Sequence, residues 1–236
     1  MAGAGQPSQT GDAKFDNWQS MWTNSNGKPG WQVDVVDTYL QKHVSRLTGD
    51  KESITILVSW CGKCLDMIWL AEQGHTVVGV EYTEYAVNQF FSDNSIPFSM
   101  IERDGFKVYA AKERKITIYC GDMFKFTSSI SGCMFDAVWD HHALGACNPS
   151  QRQTHIGVLR SILKPQGKIL LSHFEYDPTE HSGPPFSLWP ALIQELFKEH
   201  FSVELVEHID RSDGSTAKRF NLSWNKRPIH LLQSLN

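Results

Sequence analysis

The chain has 236 residues, which is enough to bury the core of one α/β domain with additions at its N-terminus. Its formal net charge of −4 lacks the basic excess of a dedicated nucleic-acid-binding protein. The apolar runs are too short to cross a bilayer, and the Gly-, Ser- and Gln-rich start has no signal-peptide pattern. Five scattered cysteines favour reduced thiols over a disulfide framework. These features predict a cytoplasmic monomer without nucleic-acid or membrane partners.

Residues 1–14 are expected to be disordered, and residues 15–236 to form a single domain. Trp18 and Trp22, at helical spacing, predict a first helix, and a loop leads to Trp31 and an amphipathic segment at 33–47. Strands are predicted at 54–58, 76–80, 116–119, 135–139, 168–172, 202–207 and 229–232, and helices at 65–72, 83–93, 150–163 and 189–199. This alternation predicts a doubly wound, mostly parallel, seven-stranded α/β sheet with an N-terminal helical cap.

Three turns follow predicted strands at the edge where such sheets bind ligands. Gly62 lets the backbone approach a ligand closely, and the following helix offers free N–H groups. Glu81 stands about twenty residues further on, where nucleoside-binding folds place the acid that accepts both ribose hydroxyls. Asp122 suits the exocyclic amine of adenine, although an Asp that caps a short turn is an equally common role. Without a three-glycine phosphate loop, S-adenosylmethionine is favoured over a nicotinamide cofactor.

Cys61 and Cys64 suggest a rival function from another class. A C-x-x-C pair after a buried strand and before a helix is also the arrangement of thioredoxin-like oxidoreductases. Such an enzyme would leave Glu81 and Asp122 without a role, and it would need only about half of this chain. We therefore rank this thiol–disulfide oxidoreductase as a distant alternative.

Several motifs together resemble the thiopurine S-methyltransferase family, from Trp18 to the C-terminus. The strongest is YDPTEHSGPPF at 176–186, which resembles the substrate-side loop of that family. Supporting matches are CGK at 61–63, GHTVVGVE at 74–81, WD at 139–140, AL at 143–144 and NP at 148–149. The resemblance implies a Rossmann-like class I methyltransferase that uses S-adenosylmethionine, releases S-adenosylhomocysteine and needs no metal. The expected acceptor is a small aromatic or heterocyclic thiol.

The resemblance also implies roles for individual residues. The cofactor would be bound by Trp18, Trp22, Trp31, Trp60, Gly62, Glu81, Tyr82, Asp122, Met123 and His141. The acceptor would be bound by Trp31, His141, Pro184, Pro185, Phe186 and Arg219, and catalysis is assigned to His141 and Asp140. From spacing alone, the tryptophans would more often be core residues than ligand contacts.

His141 is the main departure from the family, which has an arginine at this position. A histidine is mostly neutral at pH 7, whereas an arginine is permanently cationic and can clamp an anion with two N–H groups. The site could therefore prefer another acceptor, or His141 could deprotonate a less acidic thiol. The alternative acceptors are an aliphatic thiol, an inorganic sulfur or selenium species and a heteroaromatic nitrogen. A non-catalytic adenosine-binding protein is a further alternative.

Overall fold

A computed structural model describes residues 12–235, with side chains from Asn17 onward, and contains one nine-stranded mixed sheet in this range. The strands are β1 (Thr55–Ser59), β2 (Thr76–Glu81), β3 (Phe98–Arg103), β4 (Phe106–Ala111), β5 (Ile116–Cys120), β6 (Phe135–His141), β7 (Leu163–Ser172), β8 (Phe201–Asp210) and β9 (Lys226–Ser234). Their order across the sheet is β3-β4-β5-β2-β1-β6-β7-β9-β8. The five central strands are parallel to one another, in the order β5-β2-β1-β6-β7. The strands added at each edge, β3 and β4 on one side and β9 and β8 on the other, pair antiparallel.

The helices are α1 (Asp12–Asn24), α2 (Thr38–Thr48), α3 (Asp66–Glu72), α4 (Glu84–Asp93), α5 (Ser128–Ser131), α6 (Ala143–Ala146), α7 (Arg152–Ile162), α8 (Pro190–Phe197) and α9 (Ser215–Phe220). Successive side chains of a strand point to opposite faces of a sheet. Ile56 of β1 therefore packs with Leu40 of α2, while Leu57 packs on the other face with Leu159 of α7. Both faces are covered by helices, which is the doubly wound arrangement that the alternating pattern predicts. No helix in the range that the structure describes is long and apolar enough to span a membrane.

The sheet has nine strands rather than the predicted seven. The two additional strands, β3 and β4, form an antiparallel hairpin on the β5 edge. Asp104 and Gly105 make its turn with positive φ angles of 48° and 81°. Asp-Gly between two apolar segments is a strong hairpin signal, and the sequence analysis missed it.

Most predicted elements are present with shifted ends. The second helix starts at Thr38 rather than near residue 33, because the Asp37 side chain caps it by accepting from the N–H groups of Tyr39 and Leu40. The first helix starts at Asp12, inside the segment predicted to be disordered. The rest of that predicted segment, residues 1–11, lies outside the described residues.

Chain order reverses on either side of β1, because β2 lies on one side of it and β6 on the other. Ligands of open α/β sheets bind beyond the carboxyl ends of the strands at such a reversal. The ends of β1, β2, β5 and β6 and the turns that follow them are therefore brought to one edge. Glu81 and His141 are the last residues of β2 and β6, and Gly62 and Asp122 lie in the turns after β1 and β5.

Candidate active site

Glu81 ends β2 as a buried carboxylate that ties two turns together. One of its oxygens accepts from the N–H of Thr83 at 2.7 Å, and the other accepts from the N–H of Gly62 at 2.9 Å. Burial raises the pKa of Glu81, and these backbone N–H groups oppose the shift. A carboxylate has about four lone-pair sites, so each oxygen can accept one more hydrogen bond. Glu81 can therefore receive two ribose hydroxyls.

Trp22 of α1 lies over the glycine turn that follows β1. A methyl group added at Gly62 would lie 3.1 Å from the Trp22 ring, and Gly62 itself has a φ of +52°. The Trp22 side chain is buried, and its ring makes an edge contact with Trp31 at a centroid distance of 6.0 Å. Trp18 contacts Trp31 in the same manner at 5.2 Å. The three tryptophans thus form one aromatic cluster, here called the tryptophan lid, above Gly62.

Trp60 and Phe124 form a second aromatic wall beyond the ends of β1 and β5. Their ring centroids are 5.9 Å apart. Asp122 starts the short 3₁₀ turn before this wall and accepts from the N–H of Phe124 at 2.9 Å, so it does cap a turn. Its second oxygen makes no hydrogen bond with the described residues, which leaves an acceptor for an adenine amine. Met123 is buried in the core.

Tyr82 directly follows Glu81 and is half-buried. The next residue, Thr83, donates its backbone N–H to the Glu81 carboxylate. This hydrogen bond fixes the chain on both sides of Tyr82. The tyrosine is therefore placed at the edge where the resemblance puts the adenine ring.

His141, the last residue of β6, lies between two carboxylates. Its Nε2 atom is 3.4 Å from Asp37, and its Nδ1 atom is 3.5 Å from Asp66. Both distances are longer than a good N–H···O bond, so neither contact fixes the ring. The ring stacks on Trp139 at 5.3 Å. Burial lowers the pKa of His141, and Asp66 opposes the shift most strongly.

Asp37 and Asp66 belong to a hydrogen-bonded network beneath His141. Asp66 accepts from the N–H of Asp37 at 2.7 Å and from the indole N–H of Trp139 at 2.8 Å. Arg227 of β9 donates to Asp37 and to the Ser172 hydroxyl, both at 2.7 Å. Burial alone would raise the pKa of Asp37, but His141 and Arg227 outweigh it and lower that pKa. The network thus supplies a permanent cation beside His141.

Asp140 faces away from His141 into the interior. It is 1% exposed, accepts from the N–H of Leu144 at 3.1 Å and lies 3.3 Å from Nε2 of His155. With both oxygens engaged, Asp140 is placed to position α6 and α7 rather than to touch an acceptor. His142 has a left-handed backbone and stacks on Phe174 at 4.0 Å. Burial lowers the pKa of His142 well below its usual range.

The Pro-rich loop lies over the start of α6. The N–H of Phe186 donates to the carbonyl of Gly145 at 2.7 Å, and the Tyr176 hydroxyl donates to the carbonyl of Pro185. Tyr176 is also held by Ser187, whose hydroxyl bonds both the N–H and the carbonyl of Tyr176. Pro184 is exposed, while Pro185 and Phe186 are half-buried. The loop is therefore anchored at the edge where β6 ends.

Arg219 of α9 reaches the tryptophan lid. Its guanidinium lies against Gly30, since a methyl group added there would collide with it. It also lies 5.1 Å from the Phe220 ring centroid. Gly30 directly precedes Trp31, which is 40% exposed. A cation and an open aromatic face are thus adjacent, where the resemblance expects acceptor-binding residues.

The Cys61 and Cys64 thiols do not form a thioredoxin-like centre. Such a centre needs a thiol pKa lowered by a helix N-terminus or a cation. Here burial raises the pKa of both thiols well above the usual range. Within residues 17–235, no group of three His, Cys, Asp or Glu side chains is arranged to hold a metal ion.

Sequence reasoning missed the residues that surround His141. Asp37 and Arg227 are 190 positions apart, and Asp37 and Asp66 are 29 apart. No local spacing signals such contacts. The one available signal was the position of Asp66, in the first turn of the helix that follows the glycine turn.

Comparison with known proteins shows the family of the chain. The sequence profile described as thiopurine S-methyltransferase matches residues 13–234. The chain is 32% identical over 199 residues to thiopurine S-methyltransferase of Bos taurus, covering 83% of this chain and 80% of that protein. It is 33% identical over 199 residues to the enzyme of Oryctolagus cuniculus, with the same coverage.

Solved structures agree on the fold. The 1,6-didemethyltoxoflavin-N1-methyltransferase of Burkholderia thailandensis, with bound S-adenosylhomocysteine, superposes with a TM-score of 0.67 at 15% identity, covering 99% of this chain and 94% of that chain. The N-methyltransferase NodS of Bradyrhizobium japonicum superposes with a TM-score of 0.62 at 13% identity, covering 92% of this chain and 100% of that chain. These similarities confirm a Rossmann-like class I methyltransferase fold. The chain belongs to the thiopurine S-methyltransferase family and is an S-adenosylmethionine-dependent methyltransferase.

Proposed function

We propose that the protein transfers a methyl group to the sulfur of a small aromatic or heterocyclic thiol. The observation that carries this proposal is that the Arg219 cation lies against Gly30, next to Trp31, the exposed aromatic residue of the tryptophan lid above Gly62. An aromatic thiolate needs both a stacking surface and a positive charge. Family membership supports the same acceptor class, since the relatives are named for thiopurines.

The chain's own residues fit S-adenosylmethionine at this edge. Glu81 holds the ribose with the two acceptor positions that its backbone contacts leave free, and Asp122 holds the adenine amine. Trp22 closes over the glycine turn, so that water is excluded from the crevice. S-adenosylmethionine supplies an electrophilic methyl group on a sulfonium.

The acceptor lies between the tryptophan lid and the Pro-rich loop. Trp31 and Phe186 cover its ring, Pro184 and Pro185 form the outer rim, and Arg219 faces its negative charge. Holding the sulfur close to the methyl carbon, in line with the departing group, accounts for most of the catalysis in such a displacement. An acidic heteroaromatic thiol is already ionised at neutral pH and needs little base assistance.

His141 extends this chemistry to thiols that are not ionised. Its lowered pKa keeps the imidazole neutral at pH 7, so it can accept a proton. Neither ring contact, at 3.4 Å to Asp37 and 3.5 Å to Asp66, is a good hydrogen bond. One ring nitrogen can therefore turn to the acceptor thiol and take its proton, while the other stays near a carboxylate that stabilises the imidazolium. His141 is therefore the general base of the proposal, and Asp140 a positioning residue.

A screen of acceptors with labelled methyl donor, between pH 6 and 9, tests the proposal. We expect turnover with aromatic and heterocyclic thiols. Turnover confined to aliphatic thiols, selenols or heteroaromatic nitrogens would contradict the proposed acceptor class. The variant His141→Arg should raise kcat/KM for strongly acidic thiols relative to weakly acidic ones, because a fixed cation replaces a base. An acceptor profile identical to that of the parent protein would contradict the role of His141.

The proposal includes a monomer that acts in the cytoplasm on a free small molecule, without nucleic acid. Sedimentation equilibrium tests the oligomeric state, and a dimer would require that part to be revised.

A further inference from the structure

Arg152 is a buried cation without an anionic partner. The residue is 7% exposed, its buried Nε atom has no hydrogen-bond partner, and no ion pair of Arg152 is found among residues 17–235. A buried arginine is normally paired, because an unpaired buried charge is costly. Arg227 follows that rule, since it donates to Asp37 and Ser172. Arg152 is the exception that requires an explanation.

The position of Arg152 adds to its unbalanced charge. It is the first residue of α7, an 11-residue helix, and the N-terminus of a helix carries partial positive charge. Burial lowers the pKa of Arg152, and the two groups that oppose this shift, Cys147 and Tyr176, are not carboxylates. The Asp140 carboxylate contacts His155, one helical turn after Arg152, through one oxygen and accepts from the N–H of Leu144 through the other. Both of its oxygens are therefore already engaged. This region therefore favours an anion on two independent grounds.

Arg152 lies on the acceptor side of the site. Its guanidinium carbon is 5.7 Å from the ring centroid of Phe186 in the Pro-rich loop. That loop is fixed to α6 by the bond from Phe186 to Gly145. His155, one helical turn further along α7, touches Asp140, the neighbour of His141. The cation thus lies beside the Pro-rich loop, on the helix whose next turn contacts the residue before His141.

We propose that Arg152 binds a carboxylate carried by the methyl acceptor, so that the preferred acceptor is an aromatic or heterocyclic thiol with a ring carboxylate. The planar guanidinium fork matches a carboxylate with two parallel hydrogen bonds. The Phe186 ring, which already covers the guanidinium, would pack against the ring that carries the carboxylate. This inference rests on the proposed thiol methylation and names its substrate class.

Two thiols that differ only in the charged group provide the test. 3-Mercaptobenzoate and 3-mercaptobenzamide are compared as acceptors with the unmodified protein, Arg152→Met and Arg160→Met. Arg160 is an exposed residue of the same helix, so its variant makes the same charge change away from the loop. The unmodified protein and Arg160→Met should show at least a ten-fold lower KM for the carboxylate than for the amide, and Arg152→Met should abolish that preference.

Equal KM values for the two thiols with the unmodified protein would overturn the proposal, and this result does not depend on whether Arg152→Met folds. A rise in both KM values together in Arg152→Met would also overturn it, because that pattern indicates only a structural role. If neither compound is methylated, the proposed methylation of aromatic thiols is contradicted, and the carboxylate site needs a separate test. Calorimetric titration of both compounds into the protein saturated with S-adenosylhomocysteine then decides the carboxylate site, which requires tighter binding of 3-mercaptobenzoate.

Discussion

Replacing Glu81 with glutamine changes the group on which the cofactor crevice depends. The amide keeps the shape of the side chain but retains a single acceptor oxygen. Its NH2 group must then face the N–H of either Gly62 or Thr83, which are 2.9 and 2.7 Å from the carboxylate oxygens. One backbone donor loses its partner, and both ribose hydroxyls lose a charged acceptor.

The magnitude follows from these losses. A hydrogen bond to a charged group contributes about 1.5–3 kcal/mol, and Glu81→Gln removes the charge from both ribose contacts. We expect a loss of roughly 3 kcal/mol in cofactor binding, which is about 100-fold in Kd. The unpaired backbone donor should lower the free energy of unfolding by about 1–3 kcal/mol.

Calorimetric titration with S-adenosylhomocysteine measures the Kd, and urea unfolding measures stability. Glu84→Gln is the matched control. It makes the same charge change in the first turn of α4, where Glu84 instead bonds Lys107 and Tyr109, each at 2.6 Å. We expect its Kd for S-adenosylhomocysteine to be unchanged. A folded Glu81→Gln protein with a Kd within three-fold of the parent value would refute the assignment of Glu81 to the ribose.

Two further predictions concern the buried charges. Arg227→Met leaves the Asp37 carboxylate without its arginine. Breaking such a pair should lower the free energy of unfolding, measured in urea, by about 3 kcal/mol. An unchanged urea midpoint would contradict this role of Arg227. Burial lowers the pKa of His173 to about 3 and of His230 to about 4. The unfolded chain binds these protons near pH 6.5, so stability should fall as pH drops from 6.5 toward 4, by up to about 1.4 kcal/mol per pH unit for each histidine. Thermal melting at each pH tests this, and His230→Leu should show a shallower fall.

The parts of the fold that sequence patterns predicted are those governed by local chemistry. Short β-branched runs bounded by turn residues predicted the parallel strands. Gly62 lies in the turn after the first of them, and Glu81 ends the second. The hairpin of β3 and β4 was overlooked although its Asp-Gly turn is a local signal, because every residue of β3 is exposed and its side chains show no burial alternation. Strand periodicity is a weak guide where neither face of a strand is buried.

The candidate site was predictable only along the chain, not across it. Each strand end could be identified from its local sequence. The fold class then predicts that these ends meet at one edge of the sheet. The partners of His141 could not, because Asp37 is fixed by a helix cap and Arg227 by its register on the last strand. Arg152 likewise has no sequence signal, since its lack of a partner is a property of the packed structure.

The resemblance implies an arginine where this chain has His141, and the network around His141 holds another arginine, Arg227, close to it. Arg227 and His141 approach the same oxygen of Asp37, at 2.7 and 3.4 Å. The permanent cation is thereby held deeper in the fold and is neutralised by a carboxylate, while a titratable ring takes the outer position. In the proposed arrangement an acceptor meets fixed positive charge from Arg219, which lies against Gly30 next to Trp31, and from the buried Arg152 next to Phe186. Selection of an anionic acceptor and removal of its thiol proton are in this arrangement performed by different residues, so that changing His141 should alter the pH dependence of turnover while leaving the preference for a carboxylate intact.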